Sequence, residues 1–236
     1  GEYLYDSISK TFTVTENDDT KPVVSLSVSR NNSSLPSAFD DVYIQGKSRV
    51  DVSISADGRY GAEISSYSTN VDGKGYSKQQ FTSDVIQSAG RVNISCSVKD
   101  SRGFTGIDTQ SIDVVEYSKP SVTVIAYRCN SSGEEDPEGA FMKVGFTATI
   151  TSLDGKNSAS YTINYGGAPI TGSGTSYISE PIACDVSKVW SVEVKVDDAL
   201  DSTTKAAVVP VAFTLMDFYY TGKGVALGKV ATREGF

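Results

Sequence analysis

The chain has 236 residues, 39% hydrophobic and 10% aromatic, enough for packed cores and too apolar for a disordered polymer. A net charge of −8 at pH 7 and a pI near 4.6 oppose the phosphate attraction behind most nucleic-acid affinity, so neither nucleic acid nor an anionic membrane is an expected partner. The absence of histidine removes the commonest general base near neutrality and the commonest metal ligand; no catalytic residue, metal ligand or cofactor site is assigned, and no enzyme is expected.

In chain order, residues 1–19 come first. Their "DSISKTFTVTE" is similar to the later "GFTGIDTQSIDVVE" and reads as the closing strand of a preceding repeat. The first residue is Gly rather than Met, so the chain reads as cut from something longer and the missing signal peptide says nothing of compartment. A strand alone cannot bury its face, so this one is expected to pack on the first domain, stay disordered or pair with another chain.

Period-two alternation then dominates. "RVDVSISADG" turns Val50, Val52 and Ile54 to one face, "RVNISCSVKD" turns Val92, Ile94, Cys96 and Val98, and "WSVEVKVDD" turns Val192, Val194 and Val196. Each predicts a half-buried strand. Helix is confined at most to short pieces such as "EEDPEGAF", and no run approaches the ~20 apolar residues that span a bilayer.

An internal repeat organises these strands. "KPVVSLSVSR" from Lys21 returns as "KPSVTVIAYR" from Lys119, 98 residues later, and "VNISCSVKD" from Val92 returns as "WSVEVKVDD" from Trp190 at the same offset. Asp57-Gly58 and Asp154-Gly155, 97 apart, are expected to be matching hairpin turns. The fold class is therefore all-β, with tandem immunoglobulin-like or fibronectin-like β-sandwiches at residues 20–117 and 118–209 and a C-terminal strand or linker at 210–236. The short links "NDDTKP" and "YSKP" place Pro22 and Pro120 where each sandwich begins and limit interdomain swing.

The tempting chemical motifs each have a plainer explanation. The acidic clusters Asp40 and Asp41, Glu134, Glu135, Asp136 and Glu138, and Asp197, Asp198 and Asp201 lack the EF-hand order, so solvated loop charge outweighs calcium, and sequence does not show carboxylates facing across a cleft. "KDSRG" at residues 99–103 suggests an adhesion motif, yet Asp100 and Gly103 supply hairpin-turn chemistry. Asn31, Asn32, Asn93 and Asn130 begin N-x-[ST] triplets that matter only in a eukaryotic secretory protein. Cys96 reads as a core residue; Cys129 and Cys184 are either bridged or, the safer reading, free. The 13 tyrosines are either a sugar-stacking surface or half-buried strand cover. "TGKGVALGKV" at residues 221–230 fails as a phosphate loop, because its glycine spacing is wrong and Val230 stands where Ser or Thr must hold magnesium. It reads instead as a short strand with glycine joints.

Tyr117 and Pro120, the Tyr127-Arg128 pair, the acidic Gly-rich loop at 134–139, "GKN" at 155–157 and "VKDSRGFTG" at 98–106 resemble the repeat of minor structural proteins in long-tailed phages of Gram-positive bacteria. "FYYTGKGVALGKVATREGF" at 218–236 is similar to the segment by which such tail and baseplate fibre proteins leave their last bead for a distal stem or tip. The resemblance implies a virion location in the phage tail, other tail or baseplate proteins as partners, a homotrimer, and a semi-rigid spacer that positions a host-binding tip. Phe218, Tyr219, Tyr220, Val225 and Leu227 are the assembly candidates, because a short apolar strand must dock on something. The alternatives are a carbohydrate-binding module contacting a host surface glycan through tyrosines and loop carboxylates, or a fragment of a bacterial surface adhesin.

Overall fold

Side chains that alternate along an extended backbone face opposite sides of a sheet, so these sequences bury one row and expose the other. The computed structural model describes residues 9–11, 15, 17–212, 216–227 and 233–235. The chain divides into two units, Gly1–Glu116 and Tyr117–Phe236.

The first unit contains β1 (Val23–Asn31), β2 (Tyr43–Ile44), β3 (Arg49–Asp57), β4 (Ile64–Val71), β5 (Lys74–Tyr76), β6 (Gln80–Thr82), β7 (Gly90–Asp100) and β8 (Thr105–Val115). One sheet has the order β1-β3-β6 and the other β2-β8-β7-β4-β5, in which only β2 runs parallel to its neighbour. The expected inward rows of β3 and β7 form the core with Leu26, Val71, Ile86 and Ile112. The sandwich is also stitched between sheets: Leu26 N–H donates to Asp108 Oδ2 at 2.7 Å, and Gln110 Nε2 donates to the Leu26 carbonyl at 2.6 Å. The otherwise unpaired edge of β1 is thereby covered by side chains.

The second unit repeats the plan with β9 (Ser121–Cys129), β10 (Phe141–Thr149), β11 (Ser160–Asn164), β12 (Ile170–Ser173), β13 (Ser176–Ile178), β14 (Ile182–Ala183), β15 (Trp190–Asp197) and β16 (Ser202–Val209). β10 carries β9 on one side and β13 and β14 on the other, facing a sheet ordered β12-β11-β15-β16. Val192, Val194, Val196 and Phe146 are fully buried. Each such side chain contributes about 1.5–3 kcal/mol relative to exposure. A hairpin of β17 (Met216–Phe218) and β18 (Val225–Leu227) follows. The chain is thus all-β, two β-sandwiches in tandem.

The expectation of two matching Asp-Gly hairpin turns changes. Asp57-Gly58 and Asp154-Gly155 are not hairpin turns: the strands they join, β3 to β4 and β10 to β11, lie in different sheets. Nor are they equivalent positions, since Leu26 and Val124 are 98 apart while their ladder partners Ile54 and Phe146 are 92 apart. The tight hairpin is Asp72-Gly73 between β4 and β5, with φ of 49° and 80° as a type I′ turn demands. "EEDPEGAF" forms turns and the start of β10, and the helical element among the described residues is a single 3-10 turn at Ser37–Phe39. The closing strand expected within residues 1–19 falls mostly outside the described residues.

Candidate functional site

A buried aspartate at the β7–β8 turn holds the first sandwich's incoming segment. Asp100 Oδ1 accepts the N–H groups of Arg102 at 2.9 Å and Phe104 at 3.0 Å, and its Oδ2 accepts from Arg102 Nη2 at 2.7 Å. The same Nη2 donates to the Thr20 carbonyl at 2.7 Å. Burial alone would raise this carboxyl, but the hydrogen bonds from Arg102 and Phe104 outweigh it and hold the group below the ordinary carboxylate range. "KDSRG" is therefore a turn, closed by Gly103 at φ 90°.

Ninety-eight residues on, Asp198 does the same work in the second sandwich. Its Oδ1 accepts from Leu200 N and Asp201 N, both at 2.8 Å, and its Oδ2 from Asn157 Nδ2 at 3.0 Å. The incoming segment is fastened by Tyr117, whose hydroxyl lies 3.1 Å from Asp198 and 3.2 Å from Asp201. Desolvation first, then the two carboxylates, push the Tyr117 phenol well above its usual range. The acidic cluster at 197–201 is thus a structural clasp. Sequence reasoning missed the role of Tyr117; the repeat offset linking Asp100 to Asp198 is the signal that could have found it.

The Tyr127-Arg128 pair also has a structural task. Arg128 is 3% exposed, and its guanidinium donates to four carbonyls: Pro210 at 2.6 Å, Gly139 and Lys188 at 3.1 Å and Asp185 at 3.2 Å. It gathers three loops at one end of the sandwich. Its Nη1 also lies 3.3 Å from Cys184 Sγ, and all three cysteines are buried, unbridged thiols.

Two carboxylates of the 134–138 cluster are tied up locally. Glu134 Oε2 accepts from Asn130 Nδ2 at 3.0 Å, and Asp136 Oδ1 from Glu138 N at 3.0 Å. Among the described residues no three His, Cys, Asp or Glu side chains converge to hold a metal ion. A shallow trough of about 450 Å³ on the β1-β3-β6 face is lined by Ser27, Ser29, Asp51, Ser53, Gln80 and Thr82, a polar surface with Phe81 at its edge. Tyr43, Tyr67, Tyr76, Tyr165 and Tyr177 pack as cover on the cores, whereas Tyr60 and Tyr220 are 80% and 86% exposed.

The C-terminal hairpin carries the assembly candidates. Phe218 pairs with Val225 and Met216 with Leu227. Tyr219 N–H donates to the Gly224 carbonyl at 2.7 Å and Gly222, at φ 73°, turns the chain. Residues 221–227 are therefore a turn and strand rather than a phosphate loop; 228–230 and the side chain of Leu227 lie outside the described ones. Phe218 is 63% and Met216 53% exposed, while Tyr219 and Val225 are half-buried, the Tyr219 ring 4.4 Å from that of Tyr220. A hydrogen bond with Tyr220, then burial, raises the Tyr219 phenol. The arrangement puts apolar and aromatic surface on a small two-stranded platform.

Residues 4–137 match the model of a family described as "Siphovirus protein of unknown function (DUF859)". No curated protein matches the sequence. Among solved structures, the chain is similar to fibronectin(III)-like modules of Clostridium thermocellum CbhA, at 18% identity and TM-score 0.31 over 80% of this chain and 94% of that one. It is similar to a 1.5-MDa bacterial ice-binding adhesin at 14% identity and TM-score 0.35, over 82% and 67% of the two chains. Carbohydrate-binding modules of a β-sandwich superfamily align at 10% identity and TM-score 0.34, over 83% and 86%. At such identities and TM-scores none of these three bears on what the chain binds.

Proposed function

The chain belongs to the siphovirus protein family DUF859, and we propose that it is a structural segment of a phage tail or baseplate fibre, a spacer and assembly module that helps position a host-binding tip. The observation that supports this reading is the repetition of one self-sufficient sandwich within a siphovirus chain. Each copy closes its own core, and each fastens its incoming segment to the turn aspartate, through Arg102 in one and Tyr117 in the other. A module built this way can be strung in series without borrowing core from its neighbours. The exposed Phe218 and Tyr220 hairpin is the surface by which it would join the next component of the tail, and a Gram-positive host and a homotrimeric assembly belong to the same reading.

Immunogold electron microscopy of purified virions with antibody raised against this chain tests it. Label along the tail or at its distal end is the expected result. Label on the capsid, or a protein found in infected cells and absent from virions, would overturn the reading.

A further inference from the structure

We propose that the outer face of the β1-β3-β6 sheet binds a neutral glycan, held by the hydroxyl, amide and carboxylate groups of its trough of about 450 Å³. Strand register builds the trough in two rows. Ser27, Ser53 and Gln80 stand side by side, and next to them Ser29, Asp51 and Thr82. Alternation has turned Leu26, Val52 and Ile54 into the core, so the three serines, Gln80 and Thr82 are left exposed. Asp51 is fixed in position: its carboxylate accepts from Asn31 Nδ2 at 3.1 Å and from Thr82 Oγ1 at 2.5 Å. Thr82 bonds to Oδ1, which leaves Oδ2 with room for a further donor.

The second sandwich shows that the fold does not call for this polarity. Leu26 and Val124 are counterparts, and so are Ile54 and Phe146, which pair with them. By that register Ile125, Gly145 and Ile178 stand where the first sandwich has Ser27, Ser53 and Gln80, and Tyr127 and Lys143 stand where it has Ser29 and Asp51. One copy of the repeat therefore presents hydrogen-bonding groups on this face. The other presents aliphatic, aromatic and basic ones at equivalent positions.

The chemistry of the lining selects the ligand. Among the described residues that line the trough there is no Lys or Arg, and Asp51 carries a negative charge, so phosphate, sulfate and carboxylate groups are disfavoured. Protein partners anchor on exposed aromatic side chains, whereas Phe81 is half-buried and stacked on Tyr76 with ring centres 4.3 Å apart. A sugar ring presents hydroxyls that both donate and accept, which matches rows of Ser, Thr, Gln and Asp. No tyrosine lines the trough, so the contact differs from the stacking surface that the tyrosine content suggests. Each hydrogen bond here replaces one to water and gains little by itself, so binding draws on several sugar units or several copies of the chain. The proposal is independent of the tail reading, and either can fail without the other.

The test applies the whole chain, fluorescently labelled, to an array of immobilised neutral and acidic oligosaccharides at low and at high salt. Saturable binding to neutral oligosaccharides, little changed by salt, is expected. Ser27→Ile with Gln80→Ile copies Ile125 and Ile178 of the second sandwich and should weaken that binding about tenfold or more. Both positions are exposed, so the melting midpoint should stay in place. Ser53→Val fills the floor of the trough with a strand-favouring residue and should weaken binding in the same way. Silence across the neutral oligosaccharides, signal confined to the acidic ones, or binding undiminished in both variants would each overturn the proposal.

Discussion

The Arg102 guanidinium reaches across 82 residues of chain to the Thr20 carbonyl, at 2.7 Å, while the same nitrogen donates to Asp100 at 2.7 Å. One side chain therefore joins the last hairpin of the first sandwich to the segment by which the chain comes into it. Replacing Asp100 by Ala would leave the Arg102 and Phe104 amides unpaired and release the guanidinium. Calorimetry should show the first sandwich melting roughly 5–15 °C lower. The pH dependence has a definite sign. Asp100 titrates lower in the folded state than in the unfolded chain, so its contribution is complete above the unfolded value near pH 4 and is lost as pH falls through the folded one. Acid unfolding of the Asp100→Ala variant should be correspondingly less steep.

Tyr117 titrates in the opposite sense. Its phenol is held protonated beside Asp198 and Asp201, so folding raises its pKa. The stabilisation is complete below the unfolded value of about 10 and declines as pH climbs from there towards the folded value. Tyr117→Phe should lower the melting midpoint of the second sandwich near neutrality and remove part of the alkaline loss seen in the wild type above about pH 10.

Arg128→Lys keeps the charge and loses the fork. A lysine ammonium has three donors on a flexible stem and cannot serve carbonyls spread over three loops, so buried acceptors lose their partners. A loss of about 2–4 kcal/mol in chemical denaturation of the second sandwich is expected.

Gly106 is buried where the chain crosses from Pro22 into β1, and an added methyl would press into the Pro22 carbonyl and the Val24 side chain. Gly106→Ala should cost about 1–3 kcal/mol by overpacking, measured by urea unfolding.

Phe218→Ser with Tyr220→Ser tests assembly without touching either core, since both side chains are exposed. Melting of the sandwiches should be unchanged, and incorporation of the chain into virions, scored by immunoblot of purified particles, should fall.

Period-two alternation made the faces of β3, β7 and β15 legible, because a side chain's direction on a strand follows from its position alone. The glycine turns were harder. Asp-Gly chemistry announces a backbone that turns with positive φ, yet Asp57-Gly58 and Asp154-Gly155 cross between sheets while Asp72-Gly73 makes the hairpin. Which sheet receives the next strand depends on what the two faces pack against. Of the assembly candidates, Phe218 and Val225 were legible as a short apolar strand region; their pairing with each other was not. The tie from Tyr117 to Asp198 spans 81 residues and leaves no local signature at either end.

By itself the amino-acid order determined that this chain is all-β, that it contains one unit twice, and which side chains turn inward, since alternation and repetition are properties of neighbouring positions. Only the tertiary structure decided that the next covered residue after Val209 is Ala212 rather than Val211, although two-residue alternation would place Val211 there. The reason is that β16 ends at Val209 and the Ala212 N–H turns to the Val186 carbonyl at 2.7 Å, a contact that exists only when the loop after β14 and the end of β16 are packed together.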